Sequence, residues 1–182
     1  MTDKTKITVV GSGYVGMSLA VLLSQHNDVV VLDVDPARVD KINSLQTTVA
    51  DAEIEVFLAK KKLSLTATLN KQAAYEGTSF VVVATPTNYD IESNCFDTSS
   101  VDSVVKDVLE FNTQALVVIK STIPIGHTKL LQEEYATKRI VFSPEFLRER
   151  PEALLACMVS FRGRPLFLPD AFFAAFFLTT SA

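Results

Sequence analysis

Lys6-Ile-Thr-Val-Val-Gly-Ser-Gly-Tyr-Val-Gly16, continued by an amphipathic run and then by Asp28-Val-Val-Val-Leu-Asp33, is the stretch that decides the fold. Residues 7–10 favour β-structure and run directly into Gly11, Gly13 and Gly16. Beyond the glycines, Val15, Leu19, Leu22 and Leu23 recur at offsets 0, 4, 7 and 8, one stripe of a helical period facing a sheet. A second apolar run, residues 29–32, ends in Asp33, 22 positions after Gly11. Strand, glycine turn, helix, strand and terminal acid form a dinucleotide-binding signature. In such a unit Gly11 allows the tight turn, Gly13 lets the backbone approach a pyrophosphate, and Gly16 lets the helix pack close to the strand. The helix N-terminus offers N–H groups to the phosphates. Asp33 suits the ribose hydroxyls and favours NAD over NADP, because its carboxylate repels a 2′-phosphate. Arg38 either reaches the adenosine ribose or phosphate region or lies on the surface.

The runs that follow extend the pattern outward. Asp35 caps a helix with Pro36 in its first turn, and Val39 and Ile42 face inward. A helix over about residues 51–62 opens with Asp51 and Glu53 and closes with Lys60, Lys61 and Lys62, charges that match its dipole. Its Ile54, Phe57 and Leu58 form a buried stripe, and the lysines read as a solvated helix end rather than a nucleic-acid patch. Residues 80–84, 116–119 and 140–142 are apolar without alternation, which marks strands covered on both faces. Between them Ser99 and Asp102 make a capping-box-like start for a helix with Val101, Val104, Val105 and Val108 on one face. A short helix spans about residues 126–134. Alternating strands and helices with no hairpin signals predict an α/β fold, a Rossmann-type doubly wound, mainly parallel sheet of about six strands. Right-handed crossovers bring Gly11, Asp33, residues 85–87, Thr122 and Glu145 to one carboxyl edge, where such sheets bind ligands.

Composition bounds the function. The 182 residues are 48% hydrophobic and 21% charged with a net charge of -4, which suits one soluble domain and disfavours nonspecific nucleic-acid binding. The polar opening lacks the apolar core of a signal peptide, and only two cysteines, Cys95 and Cys157, are present, so a cytoplasmic protein without structural disulfides is expected. His26 closes the first helix and His127 begins a later one; neither has a partner in the pattern, and no metal-ligand spacing occurs, so no metal is assigned. Thr87 and Thr122 follow strands, where a hydroxyl serves a cofactor, a catalytic water or the strand end itself. Glu145 and Glu149 stand four apart, as an acid-base pair or as solvated surface.

Four ordered motifs go further: Val10-Gly-Ser-Gly-Tyr-Val-Gly16, Val83-Ala-Thr-Pro-Thr-Asn88, Ile119-Lys-Ser-Thr-Ile-Pro-Ile-Gly126 and Phe142-Ser-Pro-Glu-Phe-Leu-Arg-Glu149. Together they resemble the nucleotide-sugar dehydrogenases of the UDP-glucose/GDP-mannose dehydrogenase family, most closely its UDP-glucose 6-dehydrogenase branch. The resemblance implies oxidation of a sugar C6 alcohol to a carboxylate by two hydride transfers to NAD, through a cysteine-bound thioester that water hydrolyses. It implies NAD contacts from Gly11, Gly13, Tyr14, Val15, Gly16, Asp33, Arg38, Thr87, Thr122 and Glu149. Glu145, Phe146, Leu147, Arg148 and Glu149 would line the sugar end of UDP-glucose. Thr122 and Glu145 would be the catalytic residues of this half, positioning the hydrolytic water with Glu145 as its base, a role suited to a partly desolvated carboxylate.

The resemblance covers residues 1–149, expected to form the NAD-binding domain. The family continues into a central helix, through which it dimerises, and a second α/β domain with the nucleophilic cysteine; neither Cys95 nor Cys157 matches that cysteine. The expectation is therefore cofactor binding without complete catalysis. Related dehydrogenases of UDP-N-acetylmannosamine or GDP-mannose, and a non-catalytic nucleotide-binding remnant, are the alternatives. Residues 150–182 carry no resemblance and hold six of the twelve phenylalanines. They read as a frameshift product or a divergent terminus, too short in their apolar run for a membrane span.

Overall fold

Strands that are apolar on both faces must be covered on both faces, and the chain meets this demand by crossing over with a helix between parallel neighbours. The computed structural model describes residues 4–90, 95–112 and 114–143. The elements run β1 (Lys6–Val10), α1 (Tyr14–Leu23), β2 (Asp28–Leu32), α2 (Pro36–Asn43), α3 (Ala52–Lys60), β3 (Leu65–Thr68) and α4 (Lys71–Tyr75). Then follow β4 (Phe80–Val83), β5 (Asn88–Asp90), β6 (Cys95–Asp97), α5 (Ser99–Phe111), β7 (Leu116–Ile119), α6 (His127–Glu134) and β8 (Ile140–Phe142). Six strands form one parallel sheet in the order β3-β2-β1-β4-β7-β8, the doubly wound arrangement expected from the sequence.

The register is level at the carboxyl edge. Thr68, Leu32, Val10, Val83, Ile119 and Phe142 are paired in succession and form one row across the sheet. Beneath it Val81, Val83, Val117 and Ile119 pack with Val101, Val104, Val105 and Val108 of α5 in the principal core. Each fully buried valine of this kind contributes on the order of 1.5–3 kcal/mol of transfer free energy. Thr8 is the polar exception in the middle of β1: it is fully buried, and its hydroxyl donates to the Ala74 carbonyl at 2.6 Å, tying α4 to the sheet.

Several local expectations are corrected. The buried residues of α1 are Gly16, Met17, Ser18, Leu19, Ala20 and Val21; of the expected stripe Leu19 is buried, whereas Val15, Leu22 and Leu23 are only half-buried. Gly16 shifts the buried face toward its own side of the helix, because α1 docks there by backbone approach. Helix α1 ends at Leu23, so His26 lies beyond it. The cap of α5 is Thr98 rather than Ser99; the Asp97 carboxylate accepts from the Ser99 N–H at 3.0 Å, and Thr98 donates to Asp102 at 2.9 Å. An antiparallel pair, β5 with β6, stands where the sequence predicts none. Its strands are three residues each, too short for alternation to register.

Candidate functional site

The floor of the site is the end of the backbone ladder. Beyond the level row, the N–H of Gly11 donates to Leu32, that of Ala84 to Val10, that of Lys120 to Val83 and that of Ser143 to Ile119, at 2.8 to 2.9 Å. The first residue after β1, β4, β7 and β8 is thus still held by a neighbouring strand. Gly11 has φ +94°, and a Cβ there would stand 2.6 Å from the Ala84 carbonyl oxygen, so only glycine makes this turn. A Cβ on Gly16 would collide with the Gly11 carbonyl oxygen, which sets how closely α1 sits on β1. Gly13 is the opposite case, with no atom within 4 Å of the place a Cβ would take.

That open space lies at the mouth of α1. Gly13 is the N-cap, no side chain caps the helix, and its first turn carries no acid. Uncapped N–H groups with the positive end of the helix dipole behind them are suited to an anion, and the room over Gly13 admits one. The residues present therefore fit a cofactor pyrophosphate held by the backbone of Gly13, Tyr14 and Val15.

Asp33 stands one strand away, nearly buried at 9% exposure. Its Oδ1 accepts from the Asp35 N–H at 3.0 Å, and its Oδ2 accepts from the Ser12 N–H at 2.8 Å and the Ser12 hydroxyl at 2.5 Å. Burial pushes this carboxyl up, but the Ser12 hydroxyl and the N–H groups of Asp35, Ser12 and Val34 outweigh it and hold the group below its ordinary value. Arg38 lies against this acid, with its guanidinium 4.0 Å from Asp33 and 3.7 Å from Asp35. An anionic carboxylate at the carboxyl edge suits a ribose hydroxyl.

Across the switch between β1 and β4, hydroxyls organise the other half of the edge. Buried Ser121 donates to the Thr85 carbonyl at 2.6 Å, and its oxygen lies 3.5 Å from the Thr85 hydroxyl. Ser100, at the start of α5, donates to Thr85 at 3.2 Å or to the Pro86 carbonyl at 2.9 Å. This cluster anchors the segment that carries Thr87, half-buried after β4, and Thr122, exposed after β7. Glu145, Phe146, Leu147, Arg148 and Glu149 lie outside the described residues, as does the tail beyond them.

Ser12, Thr48 and the partner of His127 have no signature in the sequence. Ser12 occupies a variable place in the glycine motif, and Thr48, whose hydroxyl donates to the Ser12 carbonyl at 2.6 Å, sits in a connection with no pattern of its own. His127 does have a partner, Asp102 at 2.6 Å, which joins the start of α6 to α5. Contacts of 25 positions in sequence leave no local signal. Among the described residues no group of His, Cys, Asp and Glu could hold a metal ion, and no helix is long and apolar enough to cross a membrane.

The comparison with known families bears on this edge directly. The model of the UDP-glucose/GDP-mannose dehydrogenase family, NAD binding domain, matches residues 5–156. The chain belongs to this family. Within this dehydrogenase family it is 50% identical over 144 residues to a UDP-glucose 6-dehydrogenase of Streptococcus pneumoniae, covering 79% of this chain and 36% of that protein. It is 45% identical over 146 residues to the UDP-glucose 6-dehydrogenase of Campylobacter jejuni, covering 79% and 37%. The solved UDP-glucose dehydrogenase of Pyrobaculum islandicum superposes with a TM-score of 0.66 at 27% identity, over 81% of this chain and 37% of that one. The chain thus spans little more than a third of these dehydrogenases, the part that binds NAD.

Proposed function

We propose that this chain is the NAD-binding half of a UDP-glucose 6-dehydrogenase, with residues 1–149 forming that half and 150–182 lying outside it. The observation that carries the reading is the level carboxyl edge, which sets an uncapped helix mouth and an anionic Asp33 on one side of the strand switch and Thr87 and Thr122 on the other. The 50% identity to a UDP-glucose 6-dehydrogenase supports the choice of sugar.

NAD, when bound, supplies the hydride acceptor for each of the two oxidations that turn the C6 alcohol into a carboxylate. The chain's own residues bind and orient. The mouth of α1 takes the pyrophosphate, Asp33 and Arg38 the adenosine ribose, and Thr87 and Thr122 the edge toward the sugar. Glu145, with Thr122, would hold and deprotonate the water that enters the carboxylate, while residues 146–149 line the sugar end.

Calorimetric titration of the purified chain tests this. Binding of NAD together with UDP-glucose is the expected result, because the substrate edge after β8 is retained in sequence; binding of NAD alone favours a nucleotide-binding module. Since neither Cys95 nor Cys157 stands in the family's nucleophile motif, no steady NADH production from UDP-glucose is expected. Sustained turnover by the 182-residue chain would overturn that part of the proposal.

A further inference from the structure

Asp33 is held more firmly than ribose recognition alone requires. A carboxylate oxygen offers two acceptor positions. Both positions on Oδ2 are taken by one residue, the N–H of Ser12 at 2.8 Å and its hydroxyl at 2.5 Å, while Oδ1 takes the Asp35 N–H at 3.0 Å. Ser12 is itself fully buried, and its carbonyl accepts from the Thr48 hydroxyl at 2.6 Å. The serine is therefore fastened at its N–H, its hydroxyl and its carbonyl, and it cannot move without disturbing the glycine turn on either side.

We propose that Ser12 is a specificity-determining positioning residue for the adenosine ribose, fixing the rotation of the Asp33 carboxylate so that Oδ1 alone faces the ribose 2′-hydroxyl. An acid that is free to turn accommodates a 2′-phosphate by swinging its charge away. One with Oδ2 pinned by two donors keeps its charge in place, and NADP meets it directly. Thr48 holds the pin, and the Arg38 guanidinium lies 4.0 Å from Oδ2. Selectivity then resides in a residue that touches the acid, not the cofactor.

The test is the ratio of NADP to NAD dissociation constants for the full chain, measured by titration calorimetry. Ser12→Ala removes the hydroxyl and keeps the N–H bond. The strength of a hydrogen bond to a charged group leads to a fall in that ratio of about tenfold, through weaker NAD and equal or tighter NADP binding. Ser12→Thr retains the hydroxyl and restores the ratio. Ser12→Gly, which tolerates any relaxation of the turn, gives the same change as Ser12→Ala and serves should the alanine variant not fold. A ratio within about twofold of the unaltered chain in both hydroxyl-free variants, or an equal loss of both cofactors, overturns the proposal and leaves Ser12 a support of the turn alone.

Discussion

Gly13 and Gly16 lie on the same turn and fail in opposite ways when given a side chain. A methyl group on Gly16 meets the Gly11 carbonyl oxygen, a backbone atom that cannot step aside, so Gly16→Ala is expected to cost about 3 kcal/mol or more. A methyl group on Gly13 meets nothing, and its backbone, at φ -73° and ψ -170°, is open to any residue. Gly13→Ala is therefore expected to lose at most about 1 kcal/mol, the difference between glycine and alanine as a cap. It should nonetheless weaken NAD by at least about tenfold, because the methyl fills the space the pyrophosphate needs. Urea unfolding and calorimetric titration of the two variants separate these effects. A Gly13→Ala chain that binds NAD normally would remove the helix mouth from the site. Gly11, Gly13, Gly16 and Asp33 could be picked out in the sequence because their spacing is itself the motif. Ser12 could not, because its importance rests on a hydrogen bond to a residue that folding alone brings near.

At the scale of elements, α3 shows how one side chain sets a helix start. Asp51 is nearly buried, and its Oδ1 accepts from the N–H groups of Glu53 and Ile54 at 2.9 and 3.0 Å, while Oδ2 has no partner among the described residues. Asp51→Ala is expected to cost about 1–2 kcal/mol, the usual loss of a cap. Asp51→Ser keeps a capping oxygen and removes the unpartnered one, so its stability should stay within about 0.5 kcal/mol of the parent. Thermal unfolding of both variants decides the matter, and an equal loss in each would mean that α3 is held by packing rather than by its cap. This helix was readable from Asp51, as were the central strands from their unbroken apolar runs. Strand β3 was not: Leu65 is its only buried residue, as befits a sheet edge, and Leu-Thr-Ala-Thr offers too few apolar positions to stand out. The stripe of α1 was right at Leu19 and wrong at Val15, Leu22 and Leu23, because leucines announce a face by size whereas the close approach at Gly16 shifts it.

For the whole molecule, cofactor binding and folding are linked. NAD at a hundred times its Kd should add about 2.7 kcal/mol, a rise in Tm of about 5–10 °C for a domain of this size. A thermal-shift series with NAD and NADP reads this directly, and an equal shift from the two would contradict selection by Asp33. The doubly wound order followed from the alternation of elements and from the handedness of crossovers, which together leave few topologies open. The roles proposed for Thr87, Thr122, Glu145 and Glu149 were legible only through resemblance, since threonines at strand ends and a spaced pair of glutamates have ordinary structural uses.

The backbone ladder runs on past the ends of β1, β4, β7 and β8. The amides of Gly11, Ala84, Lys120 and Ser143 are fastened to the strands beside them, so the platform under the ligand has no hinge of its own. Such a platform does not open and close around its guest. It is assembled once, when the chain folds, and the entropy of ordering it is already settled before any nucleotide arrives. A lesion anywhere along these strands therefore reaches the site as a change in how much folded protein there is, and seldom as a change in how well the folded protein binds.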